Sequence, residues 1–146
     1  MDRSDRSEGN PPPTRHARFK TILLVSPDEA WSSPIQDALS TGGYRMHPTS
    51  GVHETLRAIR DRRNDLVVIS DLVGDRRLEE LLEELKALRL PPPILLVACL
   101  HGEKRWEAWR ALPSRSLVRA PFEILDIVEA TKALIGSPWE DLSAPA

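Results

Sequence analysis

The chain has 146 residues, with 20 Lys and Arg against 22 Asp and Glu, a net charge of −2. That length is one domain with short tails, and the near-neutral balance provides no whole-chain field to draw in nucleic acid or an anionic membrane surface. The single cysteine, Cys99, and four dispersed histidines exclude an internal disulfide framework and a cysteine-rich zinc site.

Residues 1–18 are rich in Asp, Arg and Ser, include Pro11-Pro12-Pro13, and carry no apolar periodicity, so they read as a disordered arm. They also lack the apolar core of a signal peptide. Five apolar runs follow, each reading as a strand: Thr21–Ser26, Tyr44–Thr49, Leu66–Asp71, Ile94–Cys99 and Ser116–Arg119. The first, third and fourth are continuous rather than alternating, which means both faces are covered, as in a parallel sheet between two helix layers. None approaches the ~20 residues that span a bilayer. The expectation is a cytoplasmic protein that binds neither nucleic acid nor membrane.

Helical patterns lie between the strands. Ser32 or Ser33 can cap a first helix with Pro34 in its first turn, burying Ile35, Ala38 and Leu39 and stopping at Gly42-Gly43. Val52, Leu56 and Ile59 form a second helical stripe. Leu78, Leu81, Leu82, Leu85 and Leu88 form a third, with Asp75 as its cap and Pro91-Pro92-Pro93 beyond it. Glu103–Leu112 reads as a short fourth helix carrying Trp106 and Trp109. The last runs from Pro121 to Ile135, with Phe122, Leu125, Val128 and either Ile124 or Ile127 inward. Gly136 and Pro138 stop it and leave 137–146 as a tail, in which Trp139 and Leu142 can fold back onto the domain or serve as a short docking peptide. The fold class is therefore α/β: five βα units over 19–136 in a doubly wound, flavodoxin-like three-layer sandwich of parallel strand order 2-1-3-4-5. In that order the crevice outside the carboxyl ends of the first and third strands is the expected site. Two loops meet there, Ser26-Pro27-Asp28-Glu29 and Asp71-Leu72-Val73-Gly74-Asp75.

At this point the sequence resembles the receiver (CheY-like) domains of two-component response regulators. The resemblance is carried by Thr21-Ile-Leu-Leu-Val25 before an acidic turn, Asp65-Leu-Val-Val-Ile-Ser-Asp71, Pro93-Ile-Leu-Leu-Val97, and Leu117-Val-Arg-Ala-Pro-Phe122. It implies a phosphoacceptor aspartate closing the third strand, and Asp71 stands there. It also implies an acidic pair after the first strand that holds Mg²⁺; those positions are Ser26 and Pro27, with Asp28 one residue late. The Ser or Thr ending the fourth strand is Ala98, or Cys99 if the register slips by one. The Lys before a cis-prolyl bond is Ala120, with Arg119 one residue earlier.

Phosphoryl transfer needs the incoming negative charge neutralised, and Mg²⁺ held by carboxylates does most of that. A neutral Ser-Pro pair cannot replace two carboxylates. The residues therefore point to a degenerate receiver, a pseudo-receiver. It would be a stand-alone, non-enzymatic adaptor that needs no cofactor and binds a signalling protein or histidine kinase, because no output domain follows Ile135. Trp106 and Trp109 are either the candidate interface or core packing, and a homodimer can form through the fourth helix, fifth strand and fifth helix. The alternative is a phosphorelay regulator phosphorylated on Asp71, with weak Mg²⁺ at Asp28 and Asp71. A nucleotide-binding crevice is disfavoured, since SPDEAW stands where a glycine-rich phosphate loop belongs.

Overall fold

The computed structural model describes residues 17–99 and 107–141. In chain order these form β1 (Ala17–Phe19), β2 (Thr21–Val25), α1 (Glu29–Thr41), β3 (Arg45–Thr49), α2 (Val52–Asp61), β4 (Leu66–Ser70), α3 (Asp75–Lys86), β5 (Ile94–Ala98), β6 (Arg115–Arg119), α4 (Ile124–Ile135) and β7 (Trp139–Asp141). Two 3₁₀ turns, Asp71–Val73 and Glu107–Ala111, complete the list.

β3, β2, β4, β5 and β6 lie side by side in that order, all parallel. Counted among themselves these five strands run 2-1-3-4-5, the expected order. Successive side chains on a strand point to opposite faces, and the three inner strands divide accordingly. Leu23, Val25, Val67, Ile69, Ile94 and Leu96 pack with Leu78, Leu81, Leu82 and Leu85 of α3. Ile22, Leu24, Leu66, Val68, Leu95 and Val97 pack with Ile35 and Leu39 of α1 and Ile127 of α4. Both faces are dry, which explains runs without a polar alternate.

Several boundaries differ from the sequence reading. Asp28, not Ser32 or Ser33, caps α1, accepting from the backbone N–H of Ala30 and Trp31 at 3.0 and 3.3 Å. The helix so begins a turn earlier and carries Pro34 inside it. Asp75 is the first residue of α3 rather than its cap; the cap is Gly74, at φ +99°, a conformation that favours glycine. On α2 the fully buried residues are Thr55 and Ala58, while Val52, Leu56 and Ile59 are half-buried flanks. The described part of the expected fourth helix is the 3₁₀ turn Glu107–Ala111. Of the residues expected inward in the last helix, Ile127 is fully buried and Phe122, Ile124 and Val128 pack partly buried against the core, whereas Leu125 is 58% exposed.

The largest correction concerns the ends. Residues 17–18 belong to β1 rather than to an arm, and Trp139 lies in β7, the fold-back alternative for the tail rather than a docking peptide. The two strands pair antiparallel, Phe19 opposite Trp139 and Ala17 opposite Asp141. The guanidinium of Arg18 bonds both carboxylate oxygens of Asp65 at 2.8 and 3.0 Å and also reaches Glu140 at 2.7 Å. Thr21 N–H donates to the same Asp65 at 2.8 Å. Lys20 N–H donates to the Pro138 carbonyl at 2.7 Å, its ammonium to Ile135, and the Tyr44 hydroxyl to Gly136. The end of α4 is thereby strapped to the amino-terminal end of the sheet. Leu142 lies outside the described residues. Among those described, no helix is long and apolar enough to cross a membrane.

Candidate functional site

The carboxyl ends of β2, β4 and β5 converge on one spot, and the turns leaving them aim its side chains. β4 ends at Ser70, whose hydroxyl accepts from Leu72 N–H at 3.0 Å and starts the 3₁₀ turn. The turn closes where Gly74 N–H bonds the Asp71 carbonyl at 3.1 Å. Asp71 is thus the first residue past the strand. Its side chain is 1% exposed, and its carboxylate accepts the backbone N–H of Cys99 at 2.8 Å. That bond ties the exit of β4 to the exit of β5.

Ser26 is buried at the end of β2. Its N–H continues the ladder to the Thr49 carbonyl at 3.0 Å, and its hydroxyl accepts from Asp28 N–H at 3.2 Å. The short turn this makes places Pro27 on the surface and turns Asp28 onto the first amides of α1. Asp28 therefore works as a helix cap, where the positive end of the helix favours a carboxylate. It and Asp71 are brought to the same end of the sheet with their carboxylates on different backbone amides.

Ala98 closes β5 and is buried. Cys99 follows, half-buried, with its sulfur 3.9 Å from the Ser70 hydroxyl. Burial pushes its thiol up, the nearby Asp71 charge adds to that, and contacts from Ser70 and the Trp31 indole work the other way. Ala120 and Arg119 are exposed at the end of β6; Ala120 N–H bonds the Ala98 carbonyl at 2.9 Å, and the bond to Pro121 is cis.

Mg²⁺ takes carboxylates and waters in near-octahedral geometry. Among the described residues no three His, Cys, Asp or Glu side chains gather as a metal site. Beside the Asp71 carboxylate, the groups standing at the expected ligand positions are a hydroxyl engaged by a backbone amide, a proline, and a carboxylate that caps a helix.

The candidate interface is only partly visible. Trp106 lies outside the described residues. Trp109 is half-buried against the α3 side of the core, with Arg115 over its ring at 5.8 Å. Sequence reasoning missed the backbone amide of Cys99 as the partner of Asp71, which no side-chain pattern signals. It also missed the Arg18–Asp65–Glu140 strap, whose one trace is an aspartate directly before an apolar run.

No family model matches the chain. Over 133 residues it is 23% identical to the DNA-binding transcriptional regulator NtrC of Bradyrhizobium sp. (strain RP501 Parasponia), covering 86% of this chain and 26% of that protein. The chain spans about a quarter of the length of this curated relative. Among solved structures it is similar to a CheY-like receiver domain from Methylobacillus flagellatus, at 18% identity and a TM-score of 0.66, covering 80% of this chain and 99% of that one. A putative response regulator from Chloroflexus aurantiacus matches at 20% identity and a TM-score of 0.68, covering 81% and 98%.

Proposed function

We propose that this chain, which has the fold of the response-regulator receiver (CheY-like) domains, is an atypical receiver. In this reading it works as a protein–protein interaction module in bacterial two-component-type signalling, and Mg²⁺-dependent phosphorylation does not set its state. The observation that carries the reading is the use made of the two carboxylates at the site. Asp71 is held in the sheet by the Cys99 amide, and Asp28 caps α1.

A phosphoryl group arriving on Asp71 brings negative charge that must be met by a cation or by oriented donors. In the receiver family those are a metal on an acidic pair and a lysine. Here the corresponding positions are Ser26, Pro27 and Ala120. Switching further requires contacts that differ between the two states, and Ala98 offers no hydroxyl to follow the new oxygens. Asp71 is accordingly a structural acceptor. The output is contact with a signalling protein or histidine kinase through the face formed by the 3₁₀ turn at Glu107–Ala111, β6 and α4, where Leu125 is exposed. The same face could hold a second copy of the chain.

Incubation with Mg²⁺ and acetyl phosphate, followed by intact mass measurement, tests this directly. The expected result is no phosphoryl adduct. A stoichiometric adduct that disappears in Asp71→Asn would overturn the reading in favour of a phosphorelay regulator.

A further inference from the structure

The amino-terminal end of the sheet carries a second surface, remote from Asp71. Between the end of α2, the loop into β4 and the segment joining α3 to β5 lies a cleft of about 490 Å³. Three arginines line it, Arg62, Arg63 and Arg89, and no carboxylate does. Arg63 reaches Asp65 and Glu140 only at 3.5 and 3.6 Å, with its side chain 66% exposed. Among the described residues neither Arg62 nor Arg89 has an ion-pair partner. In a chain of net charge −2 this is a local excess of positive charge.

The apolar part of the lining is Ile59, Leu88 and Leu90. Leu90 is 86% exposed, the most exposed large apolar side chain described, and the prolines at 91–93 restrict the backbone that follows it. A single exposed leucine is ordinary; one set among unpaired arginines at a cleft is a contact point.

We propose that this cleft docks an acidic peptide segment of a partner protein. An aliphatic side chain of the peptide sits against Ile59, Leu88 and Leu90, and its carboxylates meet Arg62 and Arg89. Those two features occur together in a peptide and not in a phosphate backbone, which would leave the leucine unused. The inference does not depend on whether Asp71 is phosphorylated.

A random 12-residue phage-displayed library selected on the full chain tests it, followed by fluorescence anisotropy with the consensus peptide. Selection is expected to enrich Asp and Glu flanking Leu or Ile. Arg62→Glu with Arg89→Glu should weaken the peptide at least tenfold, with the thermal midpoint and circular dichroism unchanged. Leu90→Ser should weaken it severalfold, and Asp71→Asn not at all. No enrichment, a consensus without acidic residues, or full affinity in the double variant would overturn the proposal. So would a labelled DNA duplex bound through Arg62 and Arg89. Sedimentation showing that the double variant dissociates a self-associated wild-type chain would overturn it in favour of a second copy as the occupant.

Discussion

Each end of the parallel sheet buries a carboxylate, and the two ends satisfy it differently. At the amino-terminal end Asp65 receives a two-pronged arginine and a backbone amide. Burial acts to raise its pKa; the bonds from Arg18 and Thr21, and the charges of Arg18 and Arg63, outweigh that and hold the carboxyl below its usual range. At the carboxyl-terminal end Asp71 is set on the Cys99 amide, and a half-buried thiol and an indole stand close by. The difference teaches where this domain relies on charge. The strap that closes the chain onto itself is an ion-pair cluster, whereas at the other end a backbone amide ties Asp71 to the exit of β5.

Arg18→Met attacks the ionic end and carries the largest expected effect. Removing one partner of a hydrogen-bonded, largely buried pair is costly, but Arg18 is 25% exposed and Asp65 keeps its Thr21 bond. A loss of about 2 kcal/mol in urea unfolding is expected. The loss has a defined pH dependence. A carboxyl held low in the folded state contributes stability that is fully present above its unfolded value of about 4 and is lost as pH falls through the folded value. The gap between wild type and variant should stay constant from about pH 7 to 5 and close below about pH 4. A gap unchanged in acid would show that the strap holds by packing rather than by charge.

Asp71→Asn probes the carboxyl-terminal end. The carboxamide oxygen can still accept from Cys99 N–H, so stability should change by less than about 1 kcal/mol. A loss as large as that of Arg18→Met would erase the contrast between the two ends. The smallest effect sharpens the same point: with the Asp71 charge removed, the Cys99 thiol loses one of the influences holding it up. Its alkylation by iodoacetamide at pH 8 should then quicken roughly two- to threefold. An unchanged rate would mean that burial alone governs the thiol.

What the sequence determined by itself was the layered sheet and the residue at its centre. Continuous runs such as ILLV and LVVIS can be buried on both faces only between two helix layers, and the leucine spacing of α3 selects one helix face; both are local periodicities, readable without tertiary contacts. The place of Asp71 follows from the end of such a run. What only the tertiary structure decided was what each polar group does there. Asp28 reads from sequence as a late metal ligand, yet it becomes a helix cap because the Ser26 turn aims it at the first amides of α1. Leu125 reads as core, yet the rotation of α4 leaves it exposed while Ile127 is buried. Arg18 and Glu140 read as arm and tail, yet 122 residues of separation close into one ion-pair cluster over Asp65. Burial periodicity is written in neighbouring residues, whereas the partner of a polar group is chosen by segments that meet only after the chain has folded.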